Sequence, residues 1–474
     1  MRSVKRGSSG QRGSRAIAVA VVAAFYTPGA AVADTLPWAL VQAYQNNPQI
    51  TAQRAAVRAV DETVPSALSG YRPRISANAS ATEQYLDIKS RGTGPFGATT
   101  NNSGAQFVHS YGGTITQTLF NGFQTANRTR QAESQVSAAR ENLRLIEQNI
   151  LLAAATAYMN LLRDTAILDL QRRNVEVLQE QLRQTRDRFN VGEVTRTDVA
   201  QSESRLAAGR STMLTAESNL NTSRSSYRQV IGVEAGKLAP GMPVDRFSPS
   251  TLAAAVSEAR ARHPSVTTAM FNIDAAVLQV KIAEGSLYPS LNLVGSAQKT
   301  FGSTSSLTAL ESLSASVGGQ LSVPIYQGGA EYAAIRQAKE TLGQRRLDLD
   351  NSRDQVQQTV VQSWGLLLAA KAQIEATQAQ VEAAEIALNG VREEARVGQR
   401  TTLDVLNAQQ ELVNARVATV TAQRDRVVAS YTLLASAGRL SPQVLGLNVP
   451  VYDPTVHYHQ VRDSWAGVRT PDGR

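Results

Sequence analysis

The stretch Arg188–Val199, with the sequence RFNVGEVTRTDV, occurs a second time as Glu394–Val405, with the sequence EARVGQRTTLDV. Four positions recur 206 residues later: Gly192 as Gly398, Thr195 as Thr401, Asp198 as Asp404 and Val199 as Val405. A glycine after a helix supplies the left-handed conformation that ends it, and Thr-x-x-Asp then caps a new helix. Each copy therefore predicts the tight turn of a long helical hairpin, and the chain contains two such hairpins.

Residues 1–33 have the pattern of a secretory signal peptide. Five basic residues accompany an apolar run, Ala16 to Phe25, that is too short to span a bilayer, and Ala31-Val-Ala33 offers a cleavage site. Removal of this segment lowers the net charge from +9 to +4, which argues against a nucleic-acid partner. The chain has no cysteine, so the exported protein has neither disulfides nor a cysteine-linked lipid.

The chain is internally duplicated. Residues 36–80 match 252–296, and the match resumes at Asn121-Gly122 with Gln327-Gly328, so the first half carries ten extra residues between about 81 and 115. A stretch rich in proline and glycine separates the halves. We predict a signal peptide at 1–33, a first repeat at 34–233, a linker at 234–250, a second repeat at 251–440 and a loosely ordered tail at 441–474.

Each half contains two segments that alternate between apolar and small polar residues. These predicted strands lie near 75–88, 107–119, 291–301 and 313–325, with an exposed loop at 89–105. Alternation alone also fits a soluble sheet, but Ser, Thr, Gln and Gly on the polar face suit a wet lumen and hence a membrane barrel. Four strands cannot close such a barrel, because open edges in lipid leave backbone groups unpaired. The strands must therefore be shared between copies of the chain.

Long helices with a seven-residue period are the strongest pattern in the sequence. In the first half the apolar positions are Val136, Leu143, Ile150, Leu161, Leu168, Val175, Leu182 and Phe189, and the second half repeats them from Leu342 to Ala395. One step of eleven residues interrupts each series. A period of seven predicts left-handed supercoiling. A helix of this length would extend about 100 Å, far beyond an ordinary domain. The predicted fold is mainly α, with coiled-coil hairpins and a β-barrel.

The motifs do not indicate an enzyme, a cofactor or a metal site. Gly92–Gly97 matches a dinucleotide-binding pattern but lies in no strand-to-helix turn, and His457 and His459 stand in the predicted tail. No nucleophile–base set or paired carboxylates emerge, so an exported enzyme is a poor interpretation. A purely structural periplasmic coiled-coil spacer is the main alternative to a channel, although it leaves the lumen-type strands unexplained.

The duplicated plan and the V-G-x-x-T-x-x-D-V turns resemble the TolC family of outer-membrane efflux and type I secretion channels. The resemblance covers 36–440 and is most specific at Val397–Ala408 and at Tyr326–Gly329. It implies a homotrimer with a twelve-stranded barrel in the Gram-negative outer membrane and a twelve-helix tunnel across the periplasm. It also implies a periplasmic adaptor and an inner-membrane transporter of the RND or ABC type as partners. The sequence does not identify the cargo.

The resemblance also assigns roles to residues at the two turns. By position, Asp198 would accept a bond from Arg400 and Asp404 would form an acidic ring at a closed tip. Two positions depart from the family pattern. Asn407 replaces a second ring acid, which should weaken cation binding, and Ala395 replaces a tyrosine that helps to lock the tip, so closure should depend more on Arg400.

Overall fold

The structure, a computed structural model, describes residues 34–91, 97, 99–302, 311–471 and 473, so the predicted signal peptide lies outside it. The first half contains α1 (Leu36–Asn46), α2 (Pro48–Asp61), α3 (Thr63–Leu68), β1 (Arg74–Arg91), β2 (Thr99–Asn121), α4 (Gln124–Asn190) and α5 (Arg196–Ile231). The second half contains α6 (Leu252–Arg262), α7 (Pro264–Gly285), β3 (Ser290–Phe301), β4 (Glu311–Ser322), α8 (Ala330–Arg396) and α9 (Thr402–Ser436). A last helix, α10 (Thr455–Val461), follows.

The long helices form the two predicted hairpins, α4 with α5 and α8 with α9. Helices α4 and α8 each have 67 residues, which corresponds to about 100 Å. The seven-residue series in α4 is buried from Val136 to Leu182, whereas its last member, Phe189, is exposed. The predicted period therefore marks the packed face of the first hairpin up to its final turn.

The short helices of the two repeats differ in length because the first repeat contains a proline within this segment. Helices α1 and α6 have 11 residues each, and a proline begins both α2 and α7. Helix α7 then continues for 22 residues, but α2 stops at Asp61 and α3 restarts the chain. The cause is Pro65, which has no N–H to donate to Asp61 and is tolerated only in the first turn of a new helix.

The four strands form one antiparallel sheet in the order β1-β2-β3-β4. The first pair takes up the extra residues, since β1 has 18 residues and β2 has 23, against 12 each in β3 and β4. The predicted loop at 89–105 is thus wrong for most of its length, because the ladder continues to Arg91 and Thr99. The strand predicted to reach residue 325 ends at Ser322, because Pro324 cannot donate to a ladder.

The two faces of the sheet differ in polarity, as the alternation predicted. Ser80 and Ser110 share a hydrogen bond of 2.9 Å across β1 and β2, and Ser296 and Ser316 share one of 2.9 Å across β3 and β4. The opposite face carries a row of cross-strand neighbours and exposed apolar residues: Ile75, Ile115, Gly295, Val317, Leu313 and Leu321. One face is therefore suited to water and the other to lipid.

The main hydrophobic core lies where α1, α5 and α9 pack against the middle of α4. The linker contributes to it, because Val244 is buried and Asp245 accepts hydrogen bonds from Arg426 of α9. The prediction of a loosely ordered tail is wrong for 441–461. This segment packs on the first half, where Val449 joins the core and α10 sits against α2.

The two long helices, α4 and α8, differ greatly in the number of buried residues in the single chain. Of 67 residues in each long helix, 22 are buried in α4 and only 9 in α8. Helix α4 lies between α5, α7 and α9, whereas one side of α8 is open and exposes apolar residues such as Leu347 and Leu366. Among the described residues, no helix has both the length and the apolar character required to cross a membrane.

Candidate functional site: the hairpin tips

Both hairpin turns have the same backbone geometry. Gly192 has φ 81° and Gly398 has φ 79°, values that favour glycine because a Cβ would strain the left-handed conformation. In the first turn the N–H of Glu193 donates to the carbonyl of Arg188 at 2.9 Å and that of Gly192 donates to Phe189 at 3.0 Å. This pair of bonds caps the C-terminus of α4, and the chain reverses direction in a tight turn. Gln399 and Gly398 make the equivalent bonds in the second turn.

Thr195 and Thr401 begin the return helices with matching capping boxes. The Asp198 carboxylate accepts from the Thr195 N–H at 2.9 Å and from its hydroxyl at 2.7 Å, and Asp404 does the same with Thr401 at 3.0 and 2.9 Å. The bonds to Thr195 lower the pKa of Asp198, and those to Thr401, with the charge of Arg400, lower the pKa of Asp404. Both carboxylates are therefore ionised at neutral pH.

Arg400 also bonds within its own hairpin. Its Nε donates to Glu394 Oε2 at 2.8 Å, which connects the turn to the last turn of α8. Both side chains of this pair are about half exposed, so water competes with the bond and the partners can exchange. Among the residues that the structure describes, no ion pair joins Arg400 to Asp198, and Ala395 packs in the hydrophobic cluster of the second hairpin.

Asn407 does reach the first hairpin, through a residue that the sequence did not single out. Arg205 of α5 donates from Nη2 to Asn407 Oδ1 at 2.6 Å. The two residues are 202 positions apart in the sequence, and Arg205 lies next to Leu206, a buried residue of the first hairpin. No local pattern could have paired them, because the pairing depends on how two separate hairpins pack.

An apolar contact lies beside this bond. Leu406 is buried among Val175, Leu178, Leu182 and Leu206 of the first hairpin, although it is part of the second. Its neighbour Val405 instead packs within its own hairpin, against Leu388 and Leu412. Consecutive residues of α9 therefore serve different interfaces, and the seam between the hairpins runs past Leu406 and Asn407.

Comparison with known protein families supports this architecture. Residues 39–233 and 255–439 match the model described as "Outer membrane efflux protein", one segment for each repeat. The chain belongs to this family. It is 41% identical over 461 residues to the outer membrane efflux protein BepC of Brucella suis biovar 1 (strain 1330), and the match covers 97% of each chain.

More distant relatives have the same plan. The chain is 27% identical to the outer membrane protein TolC of Escherichia coli (strain K12), over 88% of this chain and 85% of the relative. The crystal structure of the Campylobacter jejuni CmeC outer membrane channel has a TM-score of 0.74 and 16% identity, covering 90% of this chain and 89% of that one. At this identity the likeness shows the fold alone, and that fold is the one predicted from the repeats.

Membership of the efflux family decides several sequence-based interpretations. The protein is an outer-membrane protein of a Gram-negative cell that extends into the periplasm, so the periplasmic spacer alternative is not supported. The family is one of transport proteins rather than enzymes. Within the described ranges, no three His, Cys, Asp or Glu side chains converge as a metal site would require.

Proposed function

We propose that three copies of this chain form a continuous duct through the outer membrane and the periplasm, which serves as the exit of a tripartite efflux pump or a type I secretion system. The observation that carries this proposal is the open sheet. Strands β1 and β4 each have one unpaired edge, and every residue of β4 is exposed in the single chain. Such edges cannot remain unpaired in lipid, because each free backbone group there costs several kcal/mol.

The internal repeat supports closure by identical copies. Within one chain, β2 of the first half pairs with β3 of the second, and α4 packs on α7. The equivalent junction would pair β4 of one copy with β1 of the next and cover the open side of α8. Repetition of one junction type in this way closes a ring without new kinds of contact.

The number of strands favours three copies. Two copies would give eight strands, and the interior of an eight-stranded barrel is just filled by side chains. Three copies would give twelve strands and leave a lumen lined by the serine and threonine face. The family resemblance also implies a trimer with a twelve-helix tunnel beneath the barrel.

The duct would have no chemistry of its own and would depend on partners for energy. An inner-membrane transporter of the RND or ABC type would drive transport, and a periplasmic adaptor would join it to the hairpin tips. The name of the Brucella relative, an outer membrane efflux protein, supports a role in efflux. In the trimer, Asp404 would form an acidic ring, and Arg400 would exchange Glu394 for Asp198 of a neighbouring hairpin when the tip closes.

Single-channel recording in a planar bilayer, combined with the mass of the purified protein in detergent, tests this proposal. We expect a mass three times that of one chain and small, cation-selective conductance steps, because three ionised Asp404 side chains would surround the constriction. A mock purification from cells that lack the gene is the control for contaminating porins. A monomer that needs no detergent and gives no conductance would contradict the proposal.

A further inference from the structure

The polar contacts between the two hairpins are few and unevenly placed. Of the side-chain hydrogen bonds and ion pairs in the described part of the chain, two join α4–α5 to α8–α9. One is Arg424 Nε to Asn160 Oδ1 at 2.8 Å, about 45 Å along α4 from the turn. The other is the Arg205–Asn407 bond, about 14 Å into α5 from its first residue. It is the inter-hairpin bond that lies near the tip.

The family resemblance assigns roles at a closed tip to Asp198, Asp404 and Arg400. In the single chain, each of these side chains bonds to a residue of its own hairpin. Asp198 accepts from Thr195, Asp404 accepts from Thr401, and Arg400 donates to Glu394, so each is satisfied within its own hairpin. A bond inside one hairpin moves with it and does not oppose its separation from the other.

We propose that Arg205 is a gating residue of the duct, which resists separation of the second hairpin from the first through its bond to Asn407. The inference rests on the proposed channel function and names a residue pair for its gate. Asn407 provides a carbonyl acceptor where the family pattern has an acid, so the bond forms without adding negative charge. Leu406 contributes the apolar part of the same seam, because its side chain is buried in the first hairpin.

The Arg205–Asn407 bond is weak, and its effect on gating comes from its position between the two hairpins. Arg205 is half-buried and Asn407 is exposed, so water competes for both partners. A contact of this kind changes an equilibrium by about two- to fivefold. A trimer would contain three such bonds, and all three would oppose the same opening. Their loss should therefore change the open probability by more than the loss of one bond.

The test compares single-channel conductance of the trimer for Arg205→Ala, Asn407→Ala and the double variant. We expect each single variant to raise conductance or open probability at least about twofold, and the double variant to add little, because all three lose the same bond. Arg210→Ala is the matched control: it removes an exposed arginine from the same helix, and the structure records no ion pair for it. Trimer mass should be unchanged throughout.

Two further variants separate the bond from the charge of Arg205. Asn407→Asp preserves an acceptor, so the channel should stay as closed as the unmodified protein, whereas Arg205→Ala combined with Asn407→Asp should open and gain cation selectivity. If the unmodified protein forms a channel whose conductance does not respond to Arg205→Ala or Asn407→Ala, the gating role of the Arg205–Asn407 bond is overturned and the proposed channel function stands. Strictly additive single effects would overturn this gating role as well. If the unmodified protein forms no channel, both the proposed function and the gating role of Arg205 are rejected.

Discussion

At the scale of single residues, one partly buried ionisable side chain makes a helix cap depend on pH. His263 caps the first turn of α7, where its Nδ1 accepts from the Ser265 N–H at 3.3 Å. Burial lowers the pKa of His263 to about 4, and the positive charge of Arg144 acts in the same direction. The folded protein therefore holds this histidine neutral at a pH where an unfolded chain would protonate it.

We expect the contribution of His263 to the free energy of unfolding to fall as the pH drops below about 6.5 and to level off near pH 4. In that window the unfolded chain binds a proton that the folded chain excludes, which costs at most about 3 kcal/mol. His263→Asn keeps a capping acceptor and should remove this part of the acid sensitivity. Thermal denaturation in detergent at pH 7 and pH 5 measures it, with His459→Asn as an exposed control. Equal acid sensitivity of His263→Asn and unmodified protein would contradict the assignment.

At the scale of elements, the tail helix α10 is attached by a polar contact as well as by packing. His457 is buried, and its Nδ1 lies 3.0 Å from Oδ2 of the fully buried Asp61 at the end of α2. Burial raises the pKa of Asp61, while the bond to His457 and the charge of Arg140 lower it. Arg140 also lies under the ring of Tyr458, at 5.1 Å. His457 of the tail thus makes a polar contact with a buried carboxylate of the first repeat.

We expect His457→Ala to detach α10, because Asp61 would lose the partner of a buried carboxylate oxygen. The cost should be about 1–3 kcal/mol, the usual penalty for such an oxygen. Limited proteolysis of the purified protein measures the loss as faster cleavage within 441–461. His459→Ala is the control, since His459 lies two residues away and is exposed. If both variants were cleaved at the unmodified rate, the polar contact would have no role in docking.

At the scale of the whole molecule, the repeat predicts the register between copies. Within one chain, Ile115 of β2 faces Gly295 of β3. The position 206 residues after Ile115 is Leu321 on β4, and the position 216 residues before Gly295 is Ala79 on β1. If copies pair as the halves do, Leu321 of one chain faces Ala79 of the next.

Cysteine pairs test this register, because the chain has no cysteine of its own. We expect Leu321→Cys combined with Ala79→Cys to form covalent dimers and trimers on oxidation, since directly opposed residues have Cβ atoms about 5 Å apart. Leu321→Cys with Ser80→Cys is the control, because Ser80 faces the other side of the sheet, where it bonds to Ser110. Electrophoresis without reductant separates the products. Equal cross-linking of both pairs, or none, would refute the register.

The sequence by itself determined the features that depend on local chemistry and on period. Glycine at Gly192 and Gly398, followed by Thr-x-x-Asp, was sufficient to predict both turns, because backbone sterics and capping act within a few residues. The seven-residue series predicted the hairpins and their packed face, and alternation predicted four strands. Boundaries were less predictable: the ladder extended β1 and β2 into polar residues, since main-chain bonding does not require apolar side chains.

Only the tertiary structure decided which distant residues meet. It joined Arg205 to Asn407 across 202 positions, buried Leu406 in the other hairpin, and placed His457 on Asp61. These pairings follow from how whole helices pack against one another, and a single sequence contains no local signal for them. The fold also shows that Arg400 bonds to Glu394 of its own hairpin in the single chain, while the role that the family resemblance assigns to Arg400 at a closed tip stays a prediction.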